Sequence, residues 1–182
     1  GQALIAIKGG MMKTIAFFET TKAEEHFLRK RIGKNFTLQF FQETIQDVPV
    51  KKFAKADILS VFIYSVVKKN LIRSMKHLSL IATRSTGFNH IDIHEATKRS
   101  VAVVNVPYYG ENTVAEHTFA LILSLSRNIH KAYVRTLRND FSLEGLRGFD
   151  LKGKTLGVIG AGSIGLHVIK MAKGFGLKVI AY

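Results

Sequence analysis

The 182-residue chain contains no cysteine, only two prolines and no run of eighteen apolar residues. The lack of cysteine excludes a disulfide framework and a thiolate metal site within these residues, and it fits a reducing cytoplasm. Because a membrane-spanning helix needs about 20 consecutive apolar residues, no membrane span is expected. We therefore expect a globular cytoplasmic protein without a metal site.

Acidic residues are scarce, since 13 Asp and Glu stand against 27 Lys and Arg, for a formal net charge of +14. A basic surface can bind nucleic acid or an anionic membrane. The basic residues are scattered, however, with no tract of five or more and no recognisable nucleic-acid motif. We interpret them as a solvated basic surface and expect no specific nucleic-acid partner. Binding to a polyanion is the alternative.

The first residues, GQALIAIKGGMMK, lack the cationic head, the apolar run and the small-residue cleavage site of a secretory signal. Native translation is expected to begin at Met11 or Met12. Residues 1–11 are therefore interpreted as a non-native or upstream remnant.

Short apolar segments alternate with segments of helical period from residue 14 to residue 106. Strands are predicted at residues 14–18, 36–41, 58–63, 78–83 and 101–106, and helices at 23–32, 68–75 and 93–100. This alternation predicts a parallel sheet with helices on its faces.

The pattern changes after Pro107. Residues 112–139 are predicted to form one long helix or two joined helices, with Thr113 and Glu116 as a capping box at the start. The apolar residues along this helix are typical of one that packs against another domain or subunit. A domain boundary is therefore expected after residue 106.

A glycine-rich turn follows a predicted strand at residues 155–159 and opens a helix that leads to a second strand at 178–182. The turn has the spacing of a dinucleotide-binding motif, with glycines at Gly160, Gly162 and Gly165. In order, these would allow a tight turn, the close approach of a pyrophosphate and close helix packing. The amides of Ser163 and Ile164 would lie at the helix N-terminus, which favours a phosphate. A tight turn without a ligand is the alternative.

Three stretches occur in order and at a specific spacing: ATRSTGFNHIDI at residues 82–93, NVPYYGENTVAEHT at 105–118 and LKGKTLGVIGAGSIG at 151–165. Together they closely resemble the D-isomer-specific 2-hydroxyacid dehydrogenases. The stretch at residues 127–155 is similar to the fermentative D-lactate dehydrogenases of that family. The resemblance covers residues 13–182.

The resemblance implies an α/β fold with a flavodoxin-like substrate domain, followed by the first part of a truncated Rossmann dinucleotide-binding domain. Residues 12–106 would form the substrate domain without its C-terminal completion, and residues 107–182 the start of the NAD-binding domain. The implied cofactor is NAD, although the acid that would distinguish it from NADP is expected just after Tyr182. The full-length protein is expected to be a homodimer or a higher homo-oligomer.

The same resemblance implies a substrate-binding loop. Ser85, Thr86 and Gly87 would offer backbone amides to a substrate carboxylate, and Gly87 would permit its close approach. Thr86 would also lie near the nicotinamide end of the cofactor, and the hydroxyl of Tyr109 would reach the substrate. An ordinary strand-to-helix loop and a packed hinge aromatic are the respective alternatives.

The family uses a histidine as proton donor, an acid that orients it and an arginine that clamps the substrate, and none of these is identified here. We assign no catalytic residue and expect these 182 residues alone to be inactive. Several histidines are interpreted as surface or packing residues: His90, His94, His130 and His167.

The implied reaction is the reduction of pyruvate, a small 2-oxo acid, to D-lactate by NADH. One alternative keeps the family and changes the substrate to a bulkier 2-oxo acid, hydroxypyruvate or a phosphorylated acid. The other is a non-catalytic protein of the same fold that senses a dinucleotide and controls assembly.

Overall fold

The computed structural model describes residues 12–182, so the predicted remnant at residues 1–11 lies outside the described residues. The chain divides into two compact units after Pro107, beside the boundary predicted at residue 106. Each unit has its own apolar core. No helix within residues 12–182 is long and apolar enough to cross a membrane.

The first unit is a five-stranded sheet in the order β2-β1-β3-β4-β5. Its strands are β1 (Lys13–Phe17), β2 (Phe36–Phe40), β3 (Ile58–Val61), β4 (Leu80–Thr83) and β5 (Ala102–Val104), and its helices are α1 (Lys22–Ile32), α2 (Lys69–Ser74) and α3 (Ile93–Lys98). All neighbouring strands pair in parallel. This is the strand order of flavodoxin-like sheets. The predicted α/β fold class is confirmed.

Side chains of the central strands form the core of the first unit. Fully buried residues on these strands are Ala16, Leu59, Val61 and Ile81. Phe18 stacks on Phe41 with 5.0 Å between ring centroids, and it meets Phe53 edge-on at 4.9 Å. Because this packing buries Phe18 completely, it fixes the backbone at the point where the chain leaves β1.

β3 and β5 each end two residues earlier than predicted, because polar contacts redirect the backbone. β3 stops at Val61 rather than at residue 63, since three of the next four amides bond to the carboxylate of Glu19. β5 stops at Val104 rather than at residue 106, since Asn105 and Val106 bond to the loop that follows β4.

The second unit contains α4 (Glu111–Ser126), α5 (Ile129–Leu137), β6 (Thr155–Val158), α6 (Ser163–Gly174) and β7 (Lys178–Ala181). β6 and β7 pair in parallel on either side of α6 in sequence, as predicted. α4 packs on α6, where Phe119 stacks on Phe175 at 5.1 Å. The predicted helix at 112–139 is two helices, because Asn128 has a left-handed backbone with φ of 52°.

The predicted capping box of Thr113 and Glu116 is wrong. α4 begins at Glu111, so both residues lie inside the helix, and no side chain of the described residues caps its start. A complete capping box occurs instead at α1. There Thr21 Oγ1 accepts a hydrogen bond from the amide of Glu24 at 3.2 Å, and the Glu24 carboxylate accepts one from the amide of Thr21 at 2.7 Å.

Replacing Thr21 with alanine (Thr21→Ala) is expected to lower the free energy of unfolding by about 1 kcal/mol, because the cap of α1 is lost. Thr113→Ala is the matched control, at an exposed position inside a helix where alanine is the better helix former. Urea denaturation followed by circular dichroism measures both variants. Equal losses of stability would contradict this assignment of the cap.

Candidate functional site

The carboxyl ends of β1, β3 and β4 lie at one edge of the first sheet, where the strand order reverses between β1 and β3. Ligands of open α/β sheets bind at such an edge. Arg84, the residue after β4, spans it, and its guanidinium donates to the carbonyls of two residues beyond β1, Phe18 at 2.8 Å and Glu19 at 3.0 Å. It also donates to Ser60 of β3, with the carbonyl at 3.3 Å. Burial lowers the pKa of the Arg84 guanidinium, while Glu24 and Glu19 oppose this shift.

Glu19 attaches the loop after β3 to the same edge. Its backbone is left-handed, with φ of 54°. Its carboxylate accepts hydrogen bonds from the amides of Phe62 at 3.1 Å, Tyr64 at 2.9 Å and Ser65 at 2.9 Å. Neither Glu19 nor Arg84 belongs to a sequence signal that could have revealed these contacts, which join residues 24 to 66 positions apart.

The predicted substrate loop of Ser85, Thr86 and Gly87 lies directly beyond β4, and all three of its carbonyl oxygens accept hydrogen bonds. The carbonyl of Ser85 accepts from the amide of Val106 at 3.0 Å, and that of Gly87 from Ser85 Oγ at 2.7 Å. The carbonyl of Thr86 accepts from Asn105 Nδ2 at 2.8 Å. The Thr86 hydroxyl donates to the carbonyl of Val106 at 3.0 Å. Each carbonyl of the loop is therefore engaged by a donor.

The amides of the same three residues have no acceptor among residues 12–182. Successive free N–H groups of this kind favour an anion. Thr86 and Gly87 are exposed to solvent. A Cβ on Gly87 would touch only Asn89 Oδ1, at 3.8 Å, so nothing within the described chain requires a glycine there. The space beside Gly87 is open to a ligand.

A polar cluster lies behind this loop. Thr83 Oγ1 is 2.6 Å from Ser85 Oγ and 3.1 Å from His90 Nε2. Thr83 and Ser85 are buried. Burial lowers the pKa of the His90 imidazole, and the carboxylate of Glu19 opposes this shift. His90, which the sequence suggested to be a surface or packing residue, thus contacts the Thr83 hydroxyl, which in turn contacts the Ser85 hydroxyl of the loop.

The glycine turn lies between β6 and α6. Gly160 has φ of +94°, which L side chains rarely adopt, and its amide donates to the carbonyl of Tyr182 at 2.7 Å. A Cβ on Gly165 would lie 2.1 Å from the carbonyl oxygen of Gly160, whereas one on Gly162 would meet nothing within 4 Å. The fold itself therefore requires glycine at the first and last positions and leaves open space at the middle one.

α6 begins at Ser163 directly after the turn, and Gly162 is its N-cap residue. The first amides of a helix, here those of Ser163 and Ile164, have no helical acceptor. No acidic residue lies in the first turn of α6, and no side chain among residues 12–182 caps it. The positive end of the helix dipole is therefore available to an anion.

Tyr109 lies in the second unit, two residues before α4. Its side chain is 61% exposed. Its hydroxyl makes no hydrogen bond within the described range of the chain, residues 12–182. Tyr109 is therefore not a packed aromatic residue within its own unit.

Replacing Gly165 with alanine (Gly165→Ala) is expected to destabilise the protein by about 1–3 kcal/mol, because its Cβ would overlap the carbonyl of Gly160. Gly157→Ala is the control, since a Cβ at this position of β6 would meet nothing within 4 Å. The free energy of unfolding in urea measures both. If Gly165→Ala were as stable as Gly157→Ala, the close packing of α6 on the turn would be contradicted.

Comparison with known protein families gives a match over most of the chain. The family model described as D-isomer specific 2-hydroxyacid dehydrogenase, catalytic domain, matches residues 15–173. The chain is 36% identical over 171 residues to a 2-hydroxyacid dehydrogenase homolog of Haemophilus influenzae, and 34% identical over 171 residues to D-lactate dehydrogenase of Escherichia coli. Each alignment covers 92% of this chain and 52% of the relative. The chain thus spans about half the length of these curated relatives.

Solved structures show the same likeness. The crystal structure of D-lactate dehydrogenase from Aquifex aeolicus, complexed with NAD and lactic acid, has a TM-score of 0.86 and 34% identity. That match covers 92% of this chain and 50% of the other. The apo-structure of D-lactate dehydrogenase from Escherichia coli has a TM-score of 0.75 and 34% identity. That match covers 92% of this chain and 54% of the other.

Proposed function

We propose that this chain, which belongs to the D-isomer-specific 2-hydroxyacid dehydrogenase family, carries ligand-binding parts of an NAD-dependent D-lactate dehydrogenase. The reaction is the reduction of pyruvate to D-lactate with NADH. The observation that carries the proposal is the hydrogen-bond imbalance at Ser85, Thr86 and Gly87, where each carbonyl is engaged and each amide is free within residues 12–182. A carboxylate only accepts hydrogen bonds, so it suits such a loop.

Each of the two units binds a different ligand, the substrate in the first and NAD in the second. Residues 12–106 are the substrate domain, and residues 107–182 are the start of the NAD-binding domain. The pyrophosphate binds at the glycine turn, where the open space beside Gly162 and the amides of Ser163 and Ile164 favour it. The Aquifex aeolicus relative, whose structure contains NAD and lactic acid, supports both ligands.

Two further side chains contact the ligands. Thr86 lies near the nicotinamide, and the exposed hydroxyl of Tyr109 donates to the substrate. NADH supplies the hydride when bound, and a proton must then reach the carbonyl oxygen of the substrate. By resemblance to the family, the histidine, acid and arginine for this step lie outside these 182 residues, which therefore bind ligands without turning them over.

The full-length protein acts as a homo-oligomer. Several large apolar side chains of α4 and α5 are more than half exposed: Leu121, Leu125, Ile129, Tyr133 and Leu137. These residues recur every four positions along the chain, and a large exposed apolar surface usually marks a protein interface. The cytoplasmic location stays a prediction.

A phosphorylated substrate is the second candidate. The chain is 38% identical over 133 residues to D-3-phosphoglycerate dehydrogenase of Methanocaldococcus jannaschii, a match that covers 73% of this chain and 25% of that relative. The name of that relative specifies a phosphorylated acid, which supports a phosphorylated substrate as the second candidate for this chain.

Pyruvate is expected to shift the amide NMR resonances of Thr86 and Gly87 in the 182-residue chain, and NADH those of Ser163 and Ile164, because these N–H groups are free to donate. Pyruvamide, which lacks the carboxylate, is the control for the first pair. If pyruvate and pyruvamide shifted the Thr86 and Gly87 amides equally, the proposed carboxylate site at this loop would be contradicted. Stronger shifts with phosphohydroxypyruvate would favour the second candidate.

The same purified chain is expected to show no pyruvate-dependent oxidation of NADH, because no proton donor is assigned within it. Absorbance of NADH over time measures this. A rate above that of a heat-denatured sample would overturn the proposal that these residues only bind.

A further inference from the structure

We propose that His90 is a positioning residue for the loop of Ser85, Thr86 and Gly87. Its imidazole holds the hydroxyls of Thr83 and Ser85 in one orientation, and these hold the carbonyl of Gly87. The inference rests on the proposed carboxylate site, because the hydrogen bond to the Gly87 carbonyl fixes the C-terminal end of the loop whose amides form that site.

The direction of every hydrogen bond in this chain of contacts follows from its last acceptor. The carbonyl of Gly87 has no proton, so the Ser85 hydroxyl donates to it at 2.7 Å. A hydroxyl has a single proton, so Ser85 Oγ must accept from the Thr83 hydroxyl at 2.6 Å. Thr83 has then used its own proton, so its oxygen accepts from His90 Nε2 at 3.1 Å. The arrangement therefore requires a proton on Nε2 of His90.

Burial of the two hydroxyl groups makes the loss of any of these hydrogen bonds costly. Thr83 and Ser85 are only 2% and 3% exposed, so water cannot readily replace a missing partner. A buried polar group that loses its partner costs more than an exposed one. The backbone of His90 is itself held, since its carbonyl accepts from the amide of the fully buried Val67 at 2.8 Å. The backbone that carries the imidazole is thus anchored to the core, outside the loop.

Gly87 explains why the loop needs such support. A glycine has no Cβ, so sterics restrict its backbone less than that of any other residue. A Cβ at Gly87 would meet no atom closer than 3.8 Å, so packing does not fix this residue. The hydrogen bond from Ser85 to its carbonyl then sets the orientation of the peptide group that follows Gly87.

The first test reads the proton on His90 without any ligand. In the ¹⁵N-labelled 182-residue chain, above the pKa of the imidazole, His90 is expected to show a protonated Nε2 and an unprotonated Nδ1. A proton on Nδ1 with a bare Nε2 would overturn the inference, whether or not pyruvate binds. This result is therefore independent of the proposed function.

The second test compares His90→Phe with His90→Gln, using pyruvate as the probe and the amide shifts of Thr86 and Gly87 as the signal. Phenylalanine keeps a ring but has no donor, so pyruvate binding is expected to weaken on the order of fivefold. Glutamine keeps an N–H donor at a similar reach and is expected to bind within about twofold of the wild type. Equal weakening by both variants, or by neither, would overturn the inference.

Thr83→Val breaks the next link with little change of shape and is expected to weaken pyruvate binding as His90→Phe does. Thr83→Ser keeps the hydroxyl and should bind like the wild type. The ligand-free amide spectrum shows whether each variant is folded. If the wild type itself did not respond to pyruvate, the proposed carboxylate site would fail, and the proton on His90 would decide the inference alone.

Discussion

The arrangement of the carboxyl edge of the first sheet depends on the hydrogen bonds that the Arg84 guanidinium donates. A parallel ladder joins neighbouring strands along their length but leaves the loops beyond them free. Arg84 bonds to backbone carbonyls at the ends of β1 and β3, and it immediately precedes the loop of Ser85, Thr86 and Gly87. Glu19, whose own carbonyl accepts from Arg84, in turn holds the loop after β3. One partly buried cation therefore holds the strand ends beside the loop amides.

Both candidate ligand sites present backbone amides rather than charged side chains, in a chain with 27 Lys and Arg. The two sites free their amides in different ways. In the first unit, side chains and neighbouring amides occupy the loop carbonyls and leave the N–H groups without an acceptor within residues 12–182. In the second unit, helix geometry leaves the first amides of α6 without a helical acceptor. Backbone donors hold an anion at a fixed place and angle, which a flexible lysine does not.

Local sequence patterns predicted the order of strands and helices, because that order depends on hydrophobic period and on glycine. They could not predict contacts between residues far apart in the chain, such as those of Glu19 and Arg84. Since contacts of this kind end β3 and β5, both strands were predicted to extend two residues too far. The capping-box error at Thr113 has another cause, since the same spacing also occurs inside helices. Nothing local marked His90 either, because its role depends on two buried hydroxyl groups.

α1 and α6 differ at their third residue, and this difference affects how each helix start interacts with anions. The third residue of α1 is Glu24, whose carboxylate folds back onto the amide of Thr21 and neutralises the start of the helix. The third residue of α6 is Gly165, where the carbonyl of Gly160 leaves no room for any side chain. Tight packing therefore denies α6 an internal carboxylate of its own at that position. Steric packing thus leaves the start of α6 able to bind an external anion. At the start of α1, the Glu24 carboxylate already occupies that position.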